Sequence, residues 1–117
     1  MKSERFLVPT KNDILNSTKT MEKRTNKYKL TLEQLSTAKA GEETQEPLQL
    51  EFDNHDNIFT IIERLKQKDL FNDQNQATEF AIGLKIFSEV MIKNRQHPLF
   101  EELLPAFQIF MKKLKAL

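Results

Sequence analysis

Hydrophobic residues follow two different periods along this chain. Between about residues 74 and 95 they recur at steps of three and four, which places them on one face of a helix with 3.6 residues per turn. This face consists of Ala77, Phe80, Ala81, Leu84, Phe87 and Met91. We expect Asn72 or Asp73 to cap the beginning of the helix, and we expect Phe87, in the middle of the face, to be buried in the core.

Two shorter stretches alternate apolar and polar residues, as half-buried strands do. The first runs from Lys27 to Leu32 and the second from Leu48 to Phe52. Residues 36–47 between them are small and polar, contain Gly41 and predict a loop. Two strands joined by one loop are most simply an antiparallel hairpin, although this loop is long for direct pairing.

The stretches after the second strand favour helix. Residues 58–65 carry an apolar stripe, and residues 53–56 are expected to end the strand and to cap this helix. Pro98 predicts a short helical turn to about Leu103, and Pro105 predicts the start of a final helix, because proline suits the first turn. The predicted fold is α+β, with an N-terminal strand pair resembling a β-hairpin, followed by three to four α-helices packed on one sheet face.

The length of 117 residues predicts one domain, and the pattern places it at residues 26–117. Residues 1–25 are polar and irregular, which is typical of a flexible N-terminal extension. A basic arm that contacts nucleic acid is the functional alternative for this segment. Met21 precedes the first regular pattern, so the sequence leaves open whether Met1 or Met21 is the true start.

Composition excludes several classes of protein. The chain has no cysteine, which rules out disulfides, thiolate catalysis and cysteine-ligated zinc and fits a reducing compartment. Its formal net charge of +1 argues against strong steering of nucleic acid or of an anionic membrane over the whole surface. No apolar run approaches the ~20 residues of a membrane span, and the N-terminus lacks the apolar core of a signal peptide. We therefore expect a cytoplasmic protein.

One histidine stands among carboxylates. His55 with Asp53 and Asp56 could hold a divalent metal ion or act in acid–base catalysis. Neighbours at the start of a helix rarely converge on one point, however, so helix capping is the favoured interpretation, as it is for His97 before Pro98. We predict no bound metal, no cofactor and no catalytic residue.

Cations gather near the ends of two predicted helices. Such side chains usually stay solvated, but together they could form a basic patch. The patch would consist of Lys93, Arg95, Lys112, Lys113 and Lys115. Stacking on single-stranded nucleic acid requires aromatic residues exposed among the cations, and the phenylalanines here lie on apolar stripes, which argues against such binding.

The long helix has a second apolar stripe, Ile82, Ile86 and Val90, opposite the first. A helix on the outside of a monomer would carry polar residues there. A two-stranded hairpin is also marginal alone and leaves open edges. We therefore predict an interface at this stripe, with a homodimer as the arrangement, although the helix at residues 58–65 could cover it within one chain.

Three segments give the chain a resemblance to a known family. They are residues 55–64, which begin His55-Asp56-Asn57, residues 83–100, which begin with Gly83, and residues 105–112. Over about residues 26–117 the chain resembles the small bacterial proteins of domain-of-unknown-function family 3861. The resemblance implies a compact single α+β domain and implies no activity, so it assigns no catalytic residue.

The expected function is that of a non-catalytic interaction or adaptor domain with an unidentified protein partner. No polar constellation converges in the predicted fold, whereas apolar helix surface is in excess. Binding of a small ligand or metal near His55 is one alternative. Association with nucleic acid through the basic helix ends is the other.

Overall fold

The computed structural model describes residues 24–117. Most of the predicted N-terminal extension, residues 1–23, therefore lies outside the described residues. The chain divides into two compact units between His55 and Asp56. We call the unit that ends at His55 the hairpin unit, and the unit from Asp56 to Leu117 the helical unit.

Two antiparallel strands form the hairpin unit, β1 (Asn26–Leu32) and β2 (Leu48–Asn54). They are paired along their whole length, which confirms the predicted hairpin. Tyr28 and Phe52 face each other across the strands, and their rings stack with centroids 5.4 Å apart. A cross-strand aromatic pair of this kind stabilises the register in which the strands meet.

The loop that joins the strands has hydrogen bonds of its own. The side chain of Gln34 accepts a hydrogen bond from the backbone N–H of Gln45 at 2.8 Å, which ties the two sides of the loop together. Gly41 has a φ of +85°, in the left-handed region that glycine adopts without steric cost. Because closing a longer loop costs only slightly more entropy than closing a short one, this connection still allows direct pairing of the strands.

Three α-helices and one 3₁₀ turn form the helical unit. The helices are α1 (Ile58–Lys68), α2 (Gln74–Lys93) and α3 (Leu103–Ala116), and the 3₁₀ turn is Pro98–Phe100. The order of two strands followed by helices confirms the α+β class. Over residues 24–117, no helix combines the length and the apolar character that crossing a membrane requires.

Side chains at the helix beginnings satisfy backbone N–H groups that a helix leaves free. The carboxylate of Asp73 accepts hydrogen bonds from the N–H groups of Asn75 and Gln76, at 2.9 and 3.2 Å, as predicted. His97 does the same for the 3₁₀ turn, where its Nδ1 accepts a hydrogen bond from the N–H of Leu99 at 3.0 Å. The prediction that His97 caps this turn is therefore confirmed.

Two of the predicted helix beginnings are wrong. Residues 53–56 do not cap α1, because β2 is longer than predicted and these residues complete the strand and the bend after it. The cap is Asn57, whose side chain accepts a hydrogen bond from the N–H of Thr60 at 3.3 Å. The final helix begins at Leu103, and Pro105 is its third residue, where the N–H that proline lacks would have no partner in the helix.

The core of the helical unit lies between α1 and α2. Ala77 and Ala81 are almost fully buried, and their small side chains let the two helices approach closely. The buried apolar residues are Ile58, Ile62, Leu65, Ala77, Ala81, Met91 and Leu114. Ser88 is buried among them, and its hydroxyl donates a hydrogen bond to the carbonyl of Lys85 at 3.3 Å, so this polar group is satisfied.

Phe87 does not belong to this core. It is 44% exposed, so the prediction that it is buried is wrong. The buried face of α2 passes through Ala81 and Ser88. Phe87 precedes Ser88 by one residue, which turns its side chain by about 100° around the helix axis and places it beside the buried face.

Candidate interaction surface

A continuous chain of aromatic rings runs along the helical unit where α2 meets α3. Neighbouring ring centroids are between 5.3 and 6.4 Å apart, a range over which aromatic rings attract each other. In order, the rings are those of Phe71, Phe80, Phe110, Phe107, Phe87, Phe100 and His97. We call these seven residues the aromatic seam.

The spacing of phenylalanines on two helices produces the aromatic seam. Phe80 and Phe87 are about two turns apart on α2, so they lie on one side of it. Phe107 and Phe110 are about one turn apart on α3, and their rings stack with centroids 5.8 Å apart. Phe80 meets Phe110 and Phe87 meets Phe107, so two edge-to-face ring pairs join the helices.

Much of the aromatic seam is open to solvent. Phe71, Phe87 and Phe110 are 41%, 44% and 41% exposed. Leu99, in the 3₁₀ turn beside Phe100, is 72% exposed. Single apolar side chains are ordinary at a protein surface, whereas a contiguous apolar patch marks a site of interaction. The aromatic seam is therefore the candidate interaction surface of the helical unit.

The apolar face of α3 is incompletely covered within the chain. This face consists of Leu103, Leu104, Phe107, Phe110, Met111 and Leu114. Leu114 is buried, but Leu103 and Phe110 are exposed and the other three are half-buried. A helix on the surface of a finished core turns its apolar face inward. Apolar surface of α3 therefore remains available for a contact outside the chain.

Two open grooves flank α3. One groove, of about 880 Å³, lies between the end of α2 and α3 and is lined by three cations, Arg95, Lys112 and Lys115. Its apolar lining includes Met91, Ile92, Phe107, Ile109 and Met111. We call it the basic groove, because its lining contains these three cations and no carboxylate.

The other groove, of about 490 Å³, is lined by residues of α1, α2 and α3 and has four cations, but two of these already have partners. The Nζ of Lys85 lies 2.6 Å from the carboxylate of Asp56. The Nζ of Lys68 donates a hydrogen bond to the C-terminal carbonyl oxygen of Leu117 at 2.6 Å. This groove also contains the carboxylate of Asp56, so its charge is partly neutralised.

The five cations of the predicted basic patch do not all lie together. Three of them line the basic groove described above. Lys93 instead pairs with Glu89, one turn earlier on α2, with the charged atoms 3.9 Å apart. Lys113 lines a separate apolar hollow of about 340 Å³ that includes Phe71 and Phe80 of the aromatic seam.

The predicted interface residues lie on the side of α2 opposite its buried face, as their spacing predicts. Ile82 and Ile86 are half-buried and Val90 is 49% exposed. Val90 stands one turn from Phe87 and is the member of this stripe nearest to the aromatic seam. The role of the stripe as an interface stays a prediction.

Lysines hold both of the aspartates that flank His55 in the sequence. Asp53 pairs with Lys27 across the hairpin at 3.5 Å, and Asp56 pairs with Lys85 of α2 at 2.6 Å. Among residues 24–117, no three histidine, cysteine, aspartate or glutamate side chains come together as a metal ion would require. Both aspartates of the candidate site at His55 thus form ion pairs with lysines.

Sequence reasoning missed the aromatic seam. The spacing of apolar residues assigns Phe80, Phe87, Phe107 and Phe110 to inward faces, and it contains no information on how α3 is rotated against α2. That rotation leaves several of the rings at the surface. The composition does contain a signal, since the chain of 117 residues has nine phenylalanines and none of those in the described residues belongs to the fully buried core.

The family and the solved structure that match this chain are both described as being of unknown function. The family described as Domain of Unknown Function with solved structure (DUF3861) matches residues 26–116. The chain is also similar to a crystal structure of a protein of unknown function from Pectobacterium atrosepticum SCRI1043, with 35% sequence identity and a TM-score of 0.70. That similarity covers 80% of this chain and 100% of the other. No curated protein matches the chain.

Proposed function

The chain belongs to the domain-of-unknown-function family DUF3861, and we propose that it is a non-catalytic interaction protein that works as a homodimer. The exposure of the aromatic seam is the observation that carries this proposal. The role is that of an adaptor, which presents binding surfaces and performs no chemistry. We place the protein in the cytoplasm, because a chain without cysteine fits the reducing conditions there.

The character of the surface favours interaction over catalysis. Perturbed or convergent polar groups in a cleft are what identify an active site. Here the two aspartates within two residues of His55 in the sequence are each in an ion pair with a lysine, and the prominent features of the helical unit are apolar or cationic. Aromatic residues are the residue type that interfaces favour most, and they supply most of the energy where they are buried by a partner.

A second copy of the chain is the partner that we propose for the aromatic seam. In a twofold dimer the same patch of both copies meets itself, so rings such as Phe87 and Phe110 would be covered by the equivalent rings of the partner. A stable interface buries about 800 Å² on each copy, and each fully buried aromatic side chain contributes roughly 150–250 Å². Because the rings of the seam are already partly buried, each would add less than half of this area, so the seam with Leu99 and Val90 would form the apolar centre of such an interface and the surface around it would supply the rest.

Light scattering after size exclusion tests the proposal, with the wild type compared with Phe87→Glu. We expect a wild-type dimer and a folded Phe87→Glu monomer, because this half-exposed position accepts a charge in the monomer but not in an apolar interface. Phe59→Glu is the control. Phe59 is 69% exposed on α1 and is not part of the aromatic seam, so this variant should remain a dimer.

Ile86→Glu separates the aromatic seam from the opposite stripe of α2. Ile86 precedes Phe87 by one residue, so the two substitutions place the same charge about 100° apart around the helix. The seam is refuted as the interface if Ile86→Glu yields a folded monomer while Phe87→Glu remains a dimer. A wild-type protein that is monomeric at high micromolar concentration refutes the homodimer itself.

A further inference from the structure

The cations of the basic groove lie together without a carboxylate among the lining residues. Arg95, Lys112 and Lys115 make no ion pair with any residue that the structure describes. No acidic residue occurs in α3 or after it, and the two glutamates that precede the helix, at positions 101 and 102, are not among the groove residues. The groove is therefore a concave surface of uncompensated positive charge.

Three other cations of the same unit have carboxylate partners. Lys66 lies 3.8 Å from Glu63 on α1, and Lys93 lies 3.9 Å from Glu89 on α2. Lys85 is paired more closely still, as described above. Several cations of the helical unit are thus paired on other surfaces, whereas the basic groove brings three unpaired cations together without a carboxylate, so the charge of that groove is complementary to an acidic partner.

The apolar lining of the basic groove specifies the partner further. Ile109 is 69% exposed and Ile92 is 48% exposed, so the groove presents aliphatic surface as well as charge. Met111, which is half-buried, adds a thioether side chain, and such side chains adapt to partners of different shape. A ligand recognised by charge alone, such as a phosphate backbone, would leave this apolar surface in contact with water.

We infer that the basic groove binds an acidic amphipathic helix of a partner protein. The apolar stripe of such a helix would cover the lining at Ile92, Ile109 and Met111, and its flanking carboxylates would meet Arg95, Lys112 and Lys115. An open groove of about 880 Å³ along a helix suits an elongated segment better than a small molecule, which needs an enclosed pocket. The inference does not depend on the homodimer.

The N-terminal segment of the chain has the wrong charge to occupy the groove. Residues 1–23 contain more lysine and arginine than aspartate and glutamate. Like charges across an interface cost free energy, so this segment would be repelled by three uncompensated cations. A separate acidic protein is therefore the occupant that charge complementarity selects.

Fluorescence anisotropy with a designed peptide tests the inference. The probe is a labelled peptide of about 16 residues, long enough for four helical turns, with leucine at steps of three and four and glutamate on both sides of the leucine stripe. We expect saturable binding to the wild-type protein, which weakens when the ionic strength is raised from about 0.05 to 0.5 M. A second peptide with glutamine in place of each glutamate should bind at least about fivefold more weakly.

Adjacent lysines of α3 supply a matched pair of variants. Lys112→Glu and Lys113→Glu change the net charge of the protein equally, but only Lys112 lines the basic groove. We expect Lys112→Glu to weaken peptide binding at least about fivefold and Lys113→Glu to change it less than about twofold. Ile109→Ser and Phe59→Ser form a second pair of equal exposure, 69% each, of which only the first should weaken binding.

Several results would overturn the inference. They are the absence of saturable binding by the wild type, equal losses in Lys112→Glu and Lys113→Glu, and equal affinity for the glutamate and glutamine peptides. A single-stranded oligonucleotide that binds more tightly than the peptide, with the same dependence on Lys112, would identify nucleic acid as the occupant instead. Light scattering of the variants shows whether any loss of binding is accompanied by a change of oligomeric state, which keeps this test separate from that of the homodimer.

Discussion

Truncation of Phe87 to alanine measures how much of this side chain is buried by its own chain. The ring meets Phe100 and Phe107 with centroids 6.3 and 6.4 Å away, and the residue is 44% exposed. A fully buried phenylalanine costs about 3–5 kcal/mol when it is replaced by alanine, so a ring that is a little more than half buried should cost about 2–3 kcal/mol in the monomer. If a second copy covers the remaining surface, the cost in the dimer should approach the full value.

Urea denaturation at low and at high micromolar protein concentration measures the cost of Phe87→Ala in the monomer and in the dimer. The two differ because dimerisation stabilises the folded state in a concentration-dependent way. Met91→Ala is the reference. Met91 is 1% exposed, so its truncation should cost about 2–5 kcal/mol at both concentrations. A cost below about 1 kcal/mol for Phe87→Ala would refute the packing of the ring on α3. The full cost of about 3–5 kcal/mol in the monomer would show that one chain buries the ring completely.

Three further predictions concern the beginning of α2, the hairpin loop and the N-terminal segment. Asp73→Ala should lower the free energy of unfolding in urea by about 1 kcal/mol, and Asp73→Asn should recover most of it, since the cap needs an oxygen that accepts from Asn75 and Gln76. Gly41→Ala should cost about 1–2 kcal/mol in the same assay, because alanine resists a φ of +85°, and an unchanged stability would contradict that backbone angle. A chain that begins at Met21 should keep its melting temperature within a few degrees, and a large drop would show that the preceding residues dock as a structural element.

The periodic pattern of the sequence contains most of the architecture. The alternation at β1 and β2 and the three- and four-residue steps of α2 each have a single consistent interpretation, and Asp73 marks a helix beginning that the structure confirms. The limits of elements were harder to place. Local preference allows Asp53 to end a strand or to cap a helix, and the choice is made by strand pairing, which carries β2 through Asn54. Pro105 fits either the first or the third position of a helix, since neither needs its N–H.

The candidate interaction surface could not be predicted in the same way. Spacing along α2 and α3 determines which residues share a face, but the exposure of a residue at the edge of a face depends on how the helices are rotated and how far apart they lie. Phe87 is such a residue, one position away from buried Ser88. The basic groove has the same origin, because Arg95 and Lys112 are neighbours only through the packing of α3 beside the end of α2.

The homodimer formed through the aromatic seam is tested most directly by isotope-filtered nuclear Overhauser spectroscopy. A mixture of ¹³C-labelled and unlabelled protein reports only those proton contacts that connect one copy with another. The proposed interface predicts intermolecular contacts from the ring protons of Phe87 and Phe110 and from the methyl groups of Val90 or Leu99. Intermolecular contacts confined to Ile82 and Ile86, or the absence of any such contact at high protein concentration, would contradict it.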